Sequence, residues 1–381
     1  MERTKAAILV DIGNSETRCI VVYNNETWLY TLSNGFAKLT GGYTIPEDYI
    51  NDKTNVLKIG DSYFANGELA RRELEYKIQR PMLIKAKSDQ ESTIRTYTLC
   101  FIEAYKKISE ITGIPLEELE IEFDIATALP PTEHKLWSDR LKSMLRGIET
   151  IEAVTPIPFT KNIYINDISV ISEGAAAFTA VMYDELTPEE GGGVCESEAN
   201  EMFFDGDVLV IDIGAGTSDM ILFRDGNVII NAKDTFKKGG DSIKSKCRQA
   251  IKEKYGYSPS DVVMERVISE GLLVKGTETI DVSVFLNNAK EEFSAELYNK
   301  LTEYIQAHNI EPRELKGLLV IGGGSLPAMR NEEIVSVSLS EVVIEFVKEI
   351  TDSIALVDTK GINPRLLNIE GLRMFYLYRN D

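Results

Sequence analysis

With 381 residues, the chain exceeds what one hydrophobic core usually covers, so two domains of ordinary size are expected. Its composition, 43% hydrophobic and 27% charged, is that of a soluble globular protein, and no apolar run approaches the ~20 residues needed to span a bilayer. A net charge of -20 would repel phosphate backbones over most of the surface, which excludes direct nucleic-acid binding as an expectation and leaves any link to DNA to a basic partner, unless the acidity serves solubility alone.

The N-terminus, MERTKAAILVD, enters a strand at once and shows no signal-peptide pattern, so a cytoplasmic location is expected. Strand, glycine-bearing turn and strand follow in AAILVDIGNSETRCIVVYN (Ala6 to Asn24). From Glu91 to Thr112, Ile94, Tyr97, Phe101, Ala104, Ile108 and Ile111 recur at three- and four-residue steps, the spacing of an amphipathic helix, which Gly113 and Pro115 stop. IEFDIATALPP (Ile121 to Pro131) reads as a buried strand ended by its prolines. NIYINDISVIS (Asn162 to Ser172) reads as a strand pair or one bent strand, with Ser172 placed to cap the small-residue helix SEGAAAFTAVMY.

Asp184 to Asp205 holds eight acidic residues, no basic ones and three consecutive glycines. It reads as an exposed, mobile insertion or, alternatively, as a contact loop for a basic partner. The first hairpin pattern returns in VLVIDIGAGTSDMILFRDG (Val208 to Gly226), about 200 residues later, which suggests two similar domains. Helices are expected near Asp241 to Tyr255, across Ser258 to Leu272 and over about Ala289 to His308. The strand LLVIGGG (Leu318 to Gly324) meets SLPAMR, read as a short turn into a helix, and NPRLLNIEGLRMFYLYR reads as a turn into a terminal helix. Strands alternating with helices make the class α/β.

A strand that ends in Asp and turns through glycine offers backbone N–H groups to an anion, because glycine lets the backbone approach closely. Two such turns, with Asn14, Ser15 and Thr17 in one and Thr217 and Ser218 in the other, could hold a polyphosphate from both sides. Asp11 and Asp212 would then face the phosphates as carboxylates, which calls for a cation between them, and hydrated Mg²⁺ suits oxygen ligands of this kind. No Walker A sequence and no GxGxxG opening a helix is present. Gly322, Gly323 and Gly324 after a strand would let a flat group such as adenine lie against the backbone. Cys19, Cys100, Cys195 and Cys247 form no CxxC pair, and His134 and His308, the only histidines, leave little material for a Ser-His-Asp triad or a zinc site.

Asp11-Ile12-Gly13, Asp212-Ile213-Gly214-Ala215-Gly216-Thr217 and Ile321-Gly322-Gly323-Gly324-Ser325 resemble the phosphate 1, phosphate 2 and adenosine motifs of the actin, sugar-kinase and heat-shock-chaperone ATPase superfamily. ISEGAAAF (Ile171 to Phe178) is similar to the first connecting segment of that superfamily and NPRLLNIEGL (Asn363 to Leu372) to the second, and all five occur in the family's order. The DIGNSETR start and the NPRLLNIEGL end most resemble the bacterial plasmid-segregation actins, ParM (StbA) and its relatives.

The resemblance implies an α/β fold of two similar actin-like, ribonuclease-H-like domains flanking a nucleotide cleft. Residues 1–170 would form the first domain, with about 35–80 an inserted small subdomain and 352–381 returning to it; residues 171–351 would form the second. It implies ATP or ADP with Mg²⁺, the metal held through water by Asp11 and Asp212. Gly13, Asn14 and Ser15, with Gly214, Ala215, Gly216 and Thr217, would wrap the phosphates. Arg18 stands where actins carry a phosphate-contacting lysine, a planar fork in place of a point charge. Glu173 would orient the attacking water; read from the residues alone, it is equally a carboxylate favoured near a helix start. Gly322, Gly323, Gly324 and Ser325 would support the adenosine, and Gly239, Gly240 and Asp241 would open a helix near the ribose and base.

The function that resemblance implies is a filament-forming ATPase that segregates plasmid DNA. Its partners would be further copies of itself, head to tail, and a basic DNA-binding adaptor, with no direct nucleic acid and no membrane. A chaperone would carry a substrate-binding domain after the second connecting segment. A cell-shape actin would carry an apolar or amphipathic N-terminus, and a cell-division actin an amphipathic end, whereas GLRMFYLYRND reads better as packing onto the first domain. A soluble small-molecule kinase of the same superfamily is the alternative, as is another bacterial actin with a cell-shape or organising role.

Overall fold

The computed structural model describes residues 3–13, 16–51, 53–74, 77–78 and 91–380. The chain divides into two units, Met1–Ala176 with Asn368–Asp381, and Ala177–Leu367. In the first unit, the main sheet runs in the order Glu26–Ser33, Glu16–Tyr23, Thr4–Ile12, Ile121–Leu129, Tyr164–Ser172. The first three strands form an antiparallel meander, and the last two lie parallel to Thr4–Ile12. Ala7, Ile8, Leu9 and Val10 are all buried, as expected for a strand paired on both edges and covered on both faces.

A second sheet in this unit orders Phe159–Asn162, Thr150–Thr155, Thr54–Ile59, Ser62–Gly67, Gly35–Lys38 and Lys77–Ile78. It therefore draws on residues 150–162 as well as on the 35–80 region. The helix Glu91–Thr112 packs against strands of both sheets. Its expected stripe of Tyr97, Phe101, Ala104 and Ile108 is buried, but Thr96, Leu99 and Cys100 are buried too, because a helix between two sheets has two covered faces. Ile111, at its end, is 41% exposed.

Two local readings change in this unit, and a third is decided. The strand Ile121–Leu129 does stop before the prolines, but Pro131 opens a further helix, Pro131–Arg146, at whose first position a missing N–H costs nothing. Of the two readings of Asn162–Ser172, the single bent strand holds: Tyr164–Ser172 is one strand with a register shift between Ile165 and Asp167, and the strand Phe159–Asn162 before it belongs to the other sheet. Ser172 ends a strand and its Oγ donates to the carbonyl of Glu173; the helix that follows, Ala175–Met182, begins three residues later, too far for Ser172 to cap it.

In the second unit, the sheet runs Asn227–Phe236, Ser218–Arg224, Asp207–Ile213, Leu315–Ile321, Ala355–Leu356. Order and strand sense repeat those of the first unit's main sheet: an antiparallel meander, then two strands parallel to its innermost member. Helices Gly240–Tyr255, Asp261–Glu270, Ser283–Ala307 and Leu339–Lys348 cover it. Ser260 caps the second of these by accepting from the amide of Val263.

The helix expected directly after Gly324 is absent. A 3-10 turn, Gly323–Ser325, leads instead into a short hairpin, Met329–Arg330 with Glu333–Ile334. The acidic stretch after Asp184 is not a loose insertion: Tyr183–Glu185 pairs with Val194–Glu196, and buried Asn200 donates to the carbonyls of Val181 and Asp358. No helix among the described residues is long and apolar enough to cross a membrane.

Candidate functional site

In the first unit, the carboxyl ends of the parallel strands Thr4–Ile12, Ile121–Leu129 and Tyr164–Ser172 lie along one edge of the sheet, since Val10 pairs with Thr127 and Leu129 with Ser172. This is where open α/β sheets bind ligands. Asp11 is buried and stands opposite Arg18 across the hairpin, with Nη1 of Arg18 3.7 Å from its carboxylate; the same guanidinium reaches Glu16 at 3.4 Å. The amide of Gly13 donates to the carbonyl of Glu16 at 3.0 Å, and a Cβ at Gly13 would lie 2.8 Å from that oxygen, so the turn requires glycine. Asn14 and Ser15, both expected at the phosphates, lie outside the described residues. Glu173 follows the last strand, is buried, and donates its amide to the carbonyl of Leu129 at 2.7 Å.

The expected residues of the second unit come together more fully. Gly214 donates to the carbonyl of Thr217 at 2.9 Å, closing the turn after Asp212. The amides of Gly240 and Asp241, at the start of the helix Gly240–Tyr255, donate to the carbonyls of Gly214 and Ala215 at 2.9 and 2.7 Å. Those helix-start N–H groups therefore hold the turn instead of facing a ligand. A Cβ at Gly239 would lie 2.5 Å from the carbonyl oxygen of Gly214.

Gly322 has a positive φ of +88°, and a Cβ there would lie 2.4 Å from the carbonyl of Ile213 and 2.5 Å from the carboxylate of Asp212. Gly324 packs against Ile213, and its Cα lies 3.6 Å from where a Cβ on Gly240 would be. Ser325 is buried and its Oγ donates to the carbonyl of Gly322 at 2.7 Å. Gly323 is approached by the guanidinium of Arg365, Nε of which would lie 3.0 Å from an added Cβ. Three glycine-bearing segments far apart in sequence thus meet around Ile213 and Gly214, beside Asp212, and a Cβ at Gly239, Gly322 or Gly324 would clash there.

The residues present suit a hard divalent cation shared with a polyanion. Asp212 stands directly opposite Asp219, a second carboxylate that the sequence had not marked. Among the described residues, no group of three or more His, Cys, Asp or Glu stands together, so a cation here would take most of its ligands from water or phosphate, as Mg²⁺ commonly does. Sequence reading also missed Asn34. It is fully buried, its Nδ2 donates to the carbonyl of Gly13 and its Oδ1 accepts from the hydroxyl of Thr17, both at 2.5 Å. No motif flags it; the signal was a lone Asn between two strand-like runs.

A family model described as the C-terminal part of the archaeal, MreB-like actin homologue matches residues 210–331. No curated protein matches the chain by sequence. Among solved structures, the archaeal actin homologue Ta0583 is 14% identical, with a TM-score of 0.69 over 99% of this chain and 100% of its own; it has also been solved in complex with ADP. A ParM from a 15-stranded filament of Clostridium botulinum is 18% identical, with a TM-score of 0.67 over 98% of this chain and 99% of its own. The actin-like protein Alp7A is 16% identical, with a TM-score of 0.70 over 99% of this chain and 97% of its own. In its two repeated sheets and in the whole-length likeness to these structures, the chain has an actin-like fold.

Proposed function

We propose that the chain is an actin-like ATPase that binds Mg²⁺ and ATP and assembles into filaments. The observation that carries this reading is the meeting of Gly214–Thr217, Gly239–Asp241 and Gly322–Ser325 around Gly214, with Gly322 against Asp212. Asp11 and Asp212 would hold the hydrated metal. Gly13, Asn14, Ser15 and Arg18, with Gly214, Ala215, Gly216 and Thr217, contact the phosphates. The backbone of Gly322–Ser325 lies against the adenosine, and Glu173 orients the water that attacks the terminal phosphate. Mg²⁺, when bound, neutralises phosphate charge as it passes to the leaving group. A solved relative carries ADP, another carries AMPPNP, and a third is a filament, which supports nucleotide binding and self-assembly here.

Head-to-tail contacts between identical copies give open polymers unless they close into a ring. The finer role we propose is plasmid segregation in the cytoplasm, with a basic DNA-bound adaptor as the partner that suits a net charge of -20. The test is sedimentation and light scattering over a concentration series with Mg-ATP, Mg-ADP and no nucleotide. Assembly above a sharp threshold with ATP, weaker with ADP, is expected. A chain that hydrolyses ATP but stays monomeric at every concentration overturns the filament, and turnover that starts only when a hydroxyl-bearing acceptor is added makes it a kinase.

A further inference from the structure

The main sheet strand Glu26–Ser33 and the second-sheet strand Gly35–Lys38 are separated by one residue, Asn34, so the chain changes sheets there. A neutral amide is the side chain that satisfies a carbonyl and a hydroxyl at once, and Asn34 spends both ends on the first hairpin, at Gly13 and Thr17. Its two neighbours are clamped from the other side. Nδ2 of Asn66, on the strand Ser62–Gly67, donates to the carbonyl of Ser33 at 2.7 Å and to that of Gly35 at 2.8 Å. Asn66 is itself buried and pairs across the sheet with Asn55, whose Oδ1 is buried without a hydrogen-bond partner among the described residues.

The path from Gly13 to the second sheet is thus two amide side chains and one residue of backbone. Buried polar networks with their bonds made hold a single geometry, and loosening one member releases the rest. We propose that Asn34 and Asn66 form a relay that positions the first hairpin and couples it to the second sheet, so that whatever orders residues Asp11–Arg18 also orders residues 54–67, and the reverse. Asn34 is a positioning residue that acts through Gly13 and Thr17. Only the nucleotide arm of the idea rests on the hairpin being a phosphate site; the mechanical link does not.

Hydrogen exchange on the full-length chain tests it. Without nucleotide, Asn66→Ala should speed exchange in a peptide covering Asp11–Arg18 by about fivefold or more, and Thr17→Val should do the same across residues 54–67, as expected for one or two net hydrogen bonds lost. Tyr63→Ala, a half-exposed site on the same strand as Asn66, should leave the hairpin unchanged. With Mg-ATP, wild type should gain protection over 54–67, and Asn66→Ala should lose that gain while still protecting the hairpin. Unchanged hairpin exchange in Asn66→Ala overturns the relay; if that variant does not fold, unchanged exchange over 54–67 in Thr17→Val does so. A wild type indifferent to ATP overturns the nucleotide reading instead, and the nucleotide-free comparison still decides the relay.

Discussion

Asp212 and Asp219 stand directly opposite one another on the two strands of the second hairpin, whereas in the first hairpin the partner of Asp11 is Arg18. Like charges directly opposite on antiparallel strands are destabilising by up to about 1 kcal/mol. The hydroxyl of Thr235 donates to Asp219 at 2.5 Å but brings no charge. The first hairpin thus sets a cation opposite its carboxylate, and the second sets a second carboxylate there.

Asp219→Asn removes the repulsion and part of the negative field. The nucleotide-free variant should be as stable as wild type or about 0.5 kcal/mol more so. Its thermal stabilisation by ATP should then depend less on Mg²⁺ than that of wild type. Thermal shifts over a Mg²⁺ series, with and without ATP, check both. An undiminished Mg²⁺ effect would remove Asp219 from the cation's surroundings.

Gly322→Ala forces a side chain into the left-handed region and towards Ile213 and Asp212. The backbone strain alone is about 1–3 kcal/mol. Gly60 offers the control: it also has a positive φ, but nothing lies within 4 Å of an added Cβ. Gly60→Ala should show a small loss of stability and unchanged ATP binding, and Gly322→Ala a larger loss together with binding weakened by more than about tenfold. Equal effects would mean that the close approach at Gly322 has no bearing on nucleotide.

Glu173→Gln preserves size and the backbone bond to Leu129, which uses the amide of residue 173 and not its side chain. If the carboxylate orients the attacking water, turnover should fall by about 10²–10⁴-fold with ATP affinity nearly unchanged. Single-turnover hydrolysis and binding of a fluorescent ATP analogue separate the two effects. A turnover rate within a few-fold of wild type would assign the carboxylate to the helix start instead.

What the sequence made legible follows the range of the interactions involved. Asp11, Gly13 and Gly214 are visible because a strand–glycine–strand pattern is local, and its repeat is visible because two copies share it. The closeness of Gly322 to Asp212 depends on parallel pairing between strands about 100 residues apart, so only the resemblance pointed to it. Asn34 and Asn66 carry no periodicity and act through carbonyls that any residue could present. Pro131 misled for a different reason: proline ends a strand and begins a helix with the same fixed φ, and the sequence alone favoured the ending. The acidic charge of residues 184–205 hid the anchoring of Asn200, because a few buried contacts decide order where average composition does not.

Lys290 tests a buried charge beside the proposed adenosine loop. It is 2% exposed in the helix Ser283–Ala307, and its ammonium donates to the carbonyls of Leu326 and Val337 and to the hydroxyl of Ser336, all within 2.9 Å. None of these partners is charged, and burial pushes its pKa down to about 8. The unfolded chain keeps that proton to about pH 10.4, so between those values unfolding takes up a proton and stability rises with pH, by up to about 1.4 kcal/mol per unit. Below about pH 8 both states are protonated and the slope vanishes. Lys290→Met lacks the group and leaves two buried carbonyls short of a donor, so it should be less stable at every pH by roughly 2 kcal/mol or more. The gap between wild type and variant should widen from pH 7.5 to pH 9.5 in urea unfolding. A gap that is constant over that interval would show that the three acceptors hold the ammonium charged against its burial, with a pKa at or above that of the unfolded chain.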